Sequence, residues 1–274
     1  SWDALDESER RKAARNMAIY AGMVDRLDQN VGRLIARLRQ IGAYENSLIL
    51  VISDNGPSKT TITDYLTLDG AGADFLKRFN NELDNRGLRG SSVDLGPGWA
   101  YGLAAPFRLM KGYQSQGGVL SPLIAKLPSG WKTPGESVTA PVHVMDVMPT
   151  LIEVARAKHP NGKSEILSMQ GMSLKSLMQG GDRATFDQRG FGGELFGIRA
   201  YRRGRWKILK LPPPYGTDKW QLYDLSSDPG ETTDLAAKHP NQLNELIARW
   251  QVYATTNGVV EPDRPVAYAK PPTK

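Results

Sequence analysis

The chain has no cysteine among its 274 residues. That excludes disulfides and thiolate-bound metal, and leaves the redox compartment open. No apolar run approaches the roughly 20 residues needed to span a membrane. The opening Ser1-Trp2-Asp3 carries neither a methionine nor a charged-then-apolar leader, so no signal peptide is visible; this says nothing if the true N-terminus lies upstream. There is no internal repeat. What remains is an ordinary globular composition, 40% hydrophobic and 23% charged, long enough to bury a sizeable core. The net charge of +6 favours anionic partners in a general way without indicating nucleic acid.

The most informative stretch is Leu48-Ile49-Leu50-Val51-Ile52-Ser53-Asp54-Asn55-Gly56. The apolar run is short and rich in β-branched residues, which predicts a strand buried on both faces. In open α/β sheets ligands bind beyond the carboxyl ends of such strands, where Asp54 and Asn55 project. Both offer hard oxygens suited to Ca²⁺ or Mg²⁺. The plainer alternative is an Asx-type turn, for which Asp-Asn-Gly is ordinary chemistry.

Before that strand, Tyr20, Met23, Val24, Leu27, Val31, Leu34, Ile35 and Leu38 recur at spacings of three and four. They predict one long amphipathic helix from Ser8 to Ile41, ended by Gly42, with Arg26, Asp28, Arg33, Arg37 and Arg39 on a solvated face. A helix followed by a buried strand implies a layered α/β domain. Gly56 to Gly118 is a polar, glycine-rich excursion with a short helix expected at Asp74–Leu83; such excursions build or cover sites, or are surface insertions. A second strand is expected within Val119–Leu127, interrupted by Pro122. Val142 to Ala157 reads as a turn into a helix, with Pro149 in the first turn. Lys158 to Gly181 is polar apart from a helical patch at Ser173–Met178.

The texture then changes. Leu195–Ala200, Trp206–Leu211 and Trp220–Leu225 predict short strands, with a hairpin turn at Arg202-Arg203-Gly204-Arg205. Pro240 to Tyr253 predicts a terminal helix through Leu243, Leu246, Ile247 and Trp250. The expected organisation is a larger α/β portion over 1–180 and a small α+β subdomain over 181–274. The Pro- and Lys-rich tail after Glu261 is expected to be loosely held.

Several separated blocks, in one order, resemble the C-terminal half of the type I sulfatases, closest to the bacterial arylsulfatases of the alkaline-phosphatase-like superfamily. They are Tyr20-Ala21-Gly22-Met23-Val24-Asp25-Arg26-Leu27-Asp28, then Ser53-Asp54-Asn55-Gly56, then Gln116-Gly117-Gly118 with Pro122. Met145-Asp146-Val147 with Pro149-Thr150-Leu151 follows, then Trp206-Lys207, Gln221-Leu222-Tyr223-Asp224-Leu225, Asp228-Pro229-Gly230-Glu231 and Asp234-Leu235. Each block alone is weak, but together they span nearly the whole chain. The resemblance implies part of a mixed sheet sandwiched by helices, plus a small antiparallel sheet with a packed terminal helix.

It also implies chemistry. Asp54 and Asn55 stand where the family supplies two oxygen ligands to one divalent cation, usually Ca²⁺, which holds a sulfate oxygen in a Lewis-acid role. Lys111 stands where the family's lysine contacts the sulfate, and a compact ammonium suits a tetrahedral anion; on its own it reads as a surface lysine on a glycine-flanked loop. The family's nucleophile, a formylglycine made in a Cys/Ser-x-Pro-x-Arg motif, has no counterpart: the only Ser-x-Pro is Ser227-Asp228-Pro229, followed by Gly230-Glu231. No histidine precedes His143, which reads as a satisfied turn residue, while His159 and His239 precede prolines in surface loops. Expected partners are therefore a small sulfate ester and the missing N-terminal half of the same protein, with no nucleic acid and no membrane span. Without that half, unpaired strand edges, exposed apolar surface and no turnover are expected. The implied setting is a soluble bacterial protein, periplasmic or cytoplasmic. The same residues would serve a phosphodiesterase or phosphonate hydrolase. A reading of another class is a non-catalytic anion-binding module, built on Arg199, Arg202, Arg203, Arg205, Lys207 and Lys210 with Tyr201 and Trp206. A hairpin alternating inward apolar and outward basic residues has the same pattern.

Overall fold

The structure, a computed structural model, describes residues 2–59, 61, 71–131, 137–160 and 166–260. The tail after Glu261 lies outside them. The chain divides into two compact units. One comprises Ser1–Gly42, Asn55–Leu120 and Pro229–Thr232; the other comprises Ala43–Asp54, Ser121–Asp228 and Thr233–Lys274. No described helix is long and apolar enough to cross a membrane.

In the first unit, helix α1 spans Glu7–Gln40. Its start is fixed by a capping box: Asp6 Oδ1 accepts the Glu9 N–H at 2.8 Å, and the Glu9 carboxylate accepts the Asp6 N–H at 3.2 Å. It stops where Gly42 adopts φ +72°, a left-handed conformation that glycine enters without a Cβ penalty. The remaining α-helices among the described residues of this unit are α2 (Ala71–Leu76), α3 (Pro97–Ala104) and the single turn α4 (Gln116–Val119). α2 ends well short of the helix expected to reach Leu83, where a separate 3₁₀ turn covers Leu83–Asn85. The stretch from Arg86 to Trp99 lies along the early part of α1. Asn16 Nδ2 donates to Asp94 O at 2.8 Å, and Trp99 Nε1 donates to Ala13 O at 2.8 Å.

Much of the apolar stripe of α1 is exposed, with Val31, Ile35 and Leu38 half-buried. None of its residues is buried among the described residues, and Met23 and Leu27 are 66% and 60% exposed. Bonds from 86–99 fall on Ala13, Arg15 and Asn16, and Gly87 lies against Ile19.

In the second unit, β1 (Ile49–Ile52) pairs antiparallel with β2 (Leu123–Lys126), Ile49 opposite Lys126 and Ile52 opposite Leu123. The Ser53 N–H continues the ladder to Pro122 O at 3.2 Å. Pro122 thus precedes the strand, where its missing N–H removes no ladder bond. The expectation that β1 is buried on both faces is corrected here. Val51, Ile52 and Ile124 are exposed; β2 is the single strand paired with β1 among the described residues, and the faces of a strand are covered by packed layers and not by its ladder partner. An apolar run records the capacity for two covers; it does not show that both are present in this chain.

Three short helices follow, α5 (Val147–Val154), α6 (Lys175–Met178) and α7 (Ala184–Asp187). They are tied together by Asp146, whose side chain is fully buried. Its Oδ2 accepts the His143 N–H at 2.8 Å and its Oδ1 accepts the Met172 N–H at 2.9 Å. Arg189 Nη1 lies 2.6 Å from Oδ1 as a close ion pair. Thr150 Oγ1 donates to Asp146 O and accepts the Leu174 N–H at 2.8 Å. A Cβ on Gly171 would fall 1.9 Å from Met145 O, so the incoming loop packs too closely for any side chain there.

The antiparallel sheet runs in order β3 (Gly190–Leu195), β4 (Ile198–Arg203), β5 (Trp206–Lys210) and β6 (Trp220–Asp224). Helix α8 (Pro240–Thr256) packs on it around Ile208, Leu222, Leu246 and Trp250. The hairpin expected at Arg202–Arg205 forms, with Gly204 at φ +56° opening its two-residue loop. The strand expected at Leu195–Ala200 overlaps β4 at Ile198–Ala200, but its first part is the corner between β3 and β4, where Phe196 (φ +56°) and Gly197 (φ +82°) make the turn. β3 itself eluded the sequence pattern because three of its six residues are glycine. Those glycines admit aromatic rings: a Cβ at Gly192 would lie 2.3 Å from the Tyr253 ring, and one at Gly190 would lie 2.0 Å from the Tyr201 hydroxyl.

Candidate functional site

Strand β1 delivers Asp54 and Asn55 at its carboxyl end, Asp54 exposed and Asn55 half-buried. Asp54 closes one stretch of the second unit and Asn55 opens a stretch of the first. The Asn55 Nδ2 donates to Gly56 O at 2.8 Å, which makes Oδ1 the acceptor end of the carboxamide.

Within the first unit, Asn55–Pro57 is stitched to the loop that carries Lys111. The Gly56 N–H donates to Gly118 O at 3.0 Å, and the Lys111 N–H donates to Pro57 O at 3.0 Å. A Cβ on Gly56 would fall 1.8 Å from Gly117 O, so this approach requires glycine. The loop is equally tight on its other side. A Cβ on Gly117 would meet Leu109 O at 2.1 Å, and one on Gly118 would meet Tyr113 O at 2.1 Å. Leu109 holds φ +60°, a strained conformation for a branched side chain, and Gly112 holds φ +94°. The buried Leu109 and Met110 side chains anchor the loop, and Lys111 is left half-buried.

Two residues beside this loop carried no assignment from the sequence. Lys59 Nζ donates to Tyr113 Oη at 2.6 Å and lies 4.8 Å from the Tyr113 ring centre. Glu231 is buried, and its Oε2 accepts the Gln116 N–H at 2.9 Å. Its signal was the Asp228-Pro229-Gly230-Glu231 block, in which an acid follows a turn.

The donors present suit a hard cation only in part. Asp54 and Asn55 offer carboxylate and carboxamide oxygens, whereas calcium takes about six to eight. Among the described residues no group of three or more His, Cys, Asp or Glu side chains is placed to hold a metal.

His143 behaves as a turn residue: its Nδ1 accepts the Met145 N–H at 3.2 Å, and its ring stacks on Phe191 at 5.7 Å. Desolvation there holds its pKa below the ordinary histidine value; Asp146 pulls it upward and Arg189 pushes it down. A depressed histidine stabilises the fold above the ordinary value near 6.5, and that stabilisation is lost as pH falls through the folded value. Urea unfolding of the full-length protein between pH 7 and 5 should therefore show a loss of stability that His143→Phe reduces. Identical pH profiles would contradict this.

The basic strip on the sheet is engaged internally. Arg203 pairs with Glu245 at 3.3 Å, Arg205 with Asp224 at 3.3 Å, and Lys210 with Asp218 at 3.8 Å. Arg199 lies over the Trp250 ring at 5.4 Å. Burial lowers the pKa of Arg202. Lys207 departs from the expected outward-facing pattern and is buried, because β5 is covered on both faces around Ile208 and Leu209.

The sulfatase family model matches residues 3–157, more than half the chain. The chain belongs to the sulfatase family. A second model, for the C-terminal region of N-sulphoglucosamine sulphohydrolase, matches residues 111–252. An uncharacterized sulfatase of Schizosaccharomyces pombe is 38% identical over 263 residues, covering 95% of this chain and 47% of its own. An arylsulfatase of Klebsiella aerogenes is 33% identical over 180 residues, covering 64% of this chain and 38% of its own. The chain thus spans about half, or less, of the length of these sulfatases. Among solved structures, Ps i-CgsB in complex with k-i-k-neocarrahexaose superposes with a TM-score of 0.59 at 21% identity, over 88% of this chain and 46% of that one. The phosphonate monoester hydrolase of Agrobacterium radiobacter superposes at 0.50 and 20% identity, over 88% and 40%. The mixed α/β fold is that of sulfatases and alkaline-phosphatase-like hydrolases.

Proposed function

We propose that the full-length protein hydrolyses sulfate esters, releasing sulfate and an alcohol or phenol, and that this sulfatase chain contributes part of the site. Asp54 and Asn55 would hold one divalent cation, Ca²⁺ by the family pattern, and Lys111 would contact the sulfate. When bound, the cation polarises a sulfate oxygen as a Lewis acid. The Lys111 ammonium is a point charge suited to the spread negative charge of a sulfuryl group. We assign the formylglycine nucleophile and the remaining cation ligands to a portion of the protein upstream of this chain.

The observation that carries the reading is the backbone stitch between Asn55–Pro57 and Lys111–Gly118. It fixes the Asn55 and Lys111 backbones relative to each other before any ligand binds, which is the pre-organisation that charge stabilisation requires. A second reading, hydrolysis of phosphonate or phosphate esters, is favoured by the structural likeness to the phosphonate monoester hydrolase. A non-catalytic anion-binding module is disfavoured by the internal pairing of the basic strip.

The test is a competition of substrates. The full-length protein should release sulfate from an aryl sulfate with kcat/KM at least about tenfold above that for the matching aryl phosphonate monoester, a difference of about 1.4 kcal/mol in transition-state binding. The opposite ranking would move the protein to the second reading.

A further inference from the structure

We propose that Glu231 is a positioning residue for this site, acting through the Gln116-Gly117-Gly118 turn; the proposal rests on the functional reading above for its catalytic consequence but not for its geometry. The turn α4 begins at Ser115, whose own side chain makes no capping bond. The cap comes instead from Glu231, a residue 115 positions away in sequence, whose Oε2 accepts the Gln116 N–H at 2.9 Å. Glu231 is 2% exposed and its backbone sits at φ +55°. A non-glycine residue in the left-handed region, immediately after Gly230, is a conformation held only when its surroundings over-determine it. Here the hydrogen bond to Gln116 identifies one of those constraints.

What the carboxylate holds is the part of the loop with no room to move. The Gly117 N–H donates to Arg108 O at 2.9 Å, and Gly118 O accepts the Gly56 N–H at 3.0 Å. Gly117 and Gly118 are each pressed against the carbonyls that flank Lys111, and Gly56 is pressed against Gly117. A displacement of the turn is therefore passed to Asn55 through Gly56, and to Lys111 through Leu109, Met110 and Tyr113. Glu231 sits in the short Pro229–Thr232 stretch that joins the first unit from a distant part of the chain. A carboxylate is the suitable cap because its bond to a backbone N–H is charge-assisted and shorter in reach than a neutral pair.

The test uses the full-length protein with Glu231→Ala and Glu231→Gln, the second keeping an acceptor oxygen at the same reach. Hydrogen exchange at Gln116 to Gly118 should accelerate by about tenfold or more in Glu231→Ala, the low end of what a charged hydrogen bond contributes. The Glu231→Gln protein should recover much of that protection. With an aryl sulfate, kcat of Glu231→Ala should fall by about 10²-fold, the scale of a misplacement of about 1 Å, while KM changes little. Unaltered exchange at Gln116 to Gly118 in Glu231→Ala would overturn the proposal, as would accelerated exchange spread evenly over the whole protein. A proportionate rise in KM with kcat unchanged would also overturn it. Wild-type protein without any sulfatase turnover would defeat the functional reading instead, and the exchange measurement would still decide the role of Glu231.

Discussion

Lys111→Ala in the full-length protein should lower turnover of an aryl sulfate by about 10²–10³-fold, the cost of removing one pre-organised charge-stabilising donor. The geometry isolates the ammonium as the affected group. The loop around Lys111 is held by its backbone N–H on Pro57 O, by the buried Leu109 and Met110, and by the glycine turn. None of these involves the lysine side chain, so truncation should leave the loop in place and calcium affinity nearly unchanged. Initial rates at saturating substrate give the answer. A variant that retains more than about half the wild-type rate would place the sulfate contact elsewhere, since a single donor of this kind accounts for at least about 10²-fold.

Asp146→Ala should destabilise the fold by about 3–5 kcal/mol, as expected when one partner of a buried ion pair is removed. The loss has several parts. Arg189 would keep its charge, with only 11% of its side chain exposed and the carboxylate gone. The His143 and Met172 N–H groups would lose their acceptors. The 171–174 segment would lose one of the points that hold it to α5 and its N-cap, others being Thr150 and the side-chain bond between Ser173 and Glu153. Asp146→Asn keeps acceptor capacity but not the charge, and should fall between wild type and alanine. Urea unfolding of the full-length protein measures all three. A shift below about 1 kcal/mol for alanine would mean that Arg189 finds another partner or water, and that the carboxylate is not the node of this region.

How much of this was legible follows from the range of each interaction. The end of α1 could be read because its signal is local, a glycine next to the last turn; its start, expected at Ser8, falls at Glu7, where the capping box between Asp6 and Glu9 sets it. The terminal helix and the hairpin at Gly204 were legible for the same reason. Coverage was not, since an apolar stripe on α1 or an apolar β1 states what a face can pack against and not whether this chain supplies it. β3 was hidden because its glycines serve the rings of Tyr201 and Tyr253, which come from elsewhere in the sequence. Asp146 and Glu231 stood inside recognisable blocks, but their partners Met172 and Gln116 lie 26 and 115 residues away. Asp54, Asn55 and Lys111 were legible as candidates through chemistry and family resemblance. The stitch that holds Asn55 and Lys111 together was not, because it is made of backbone atoms whose only trace is the need for Gly56, Gly117 and Gly118.

The most direct test of the central claim is the calcium dependence of sulfate release by the full-length protein, wild type against Asp54→Ala. After chelation both should be inactive, and wild type should recover on adding Ca²⁺. Asp54→Ala should need at least about tenfold more Ca²⁺ for half-recovery, since even groups that only support a metal's ligands change affinity by about 10–100-fold. Sulfate release that is indifferent to chelation, or an unshifted calcium curve for Asp54→Ala, would contradict the assignment of the strand-end Asp54 to the cation.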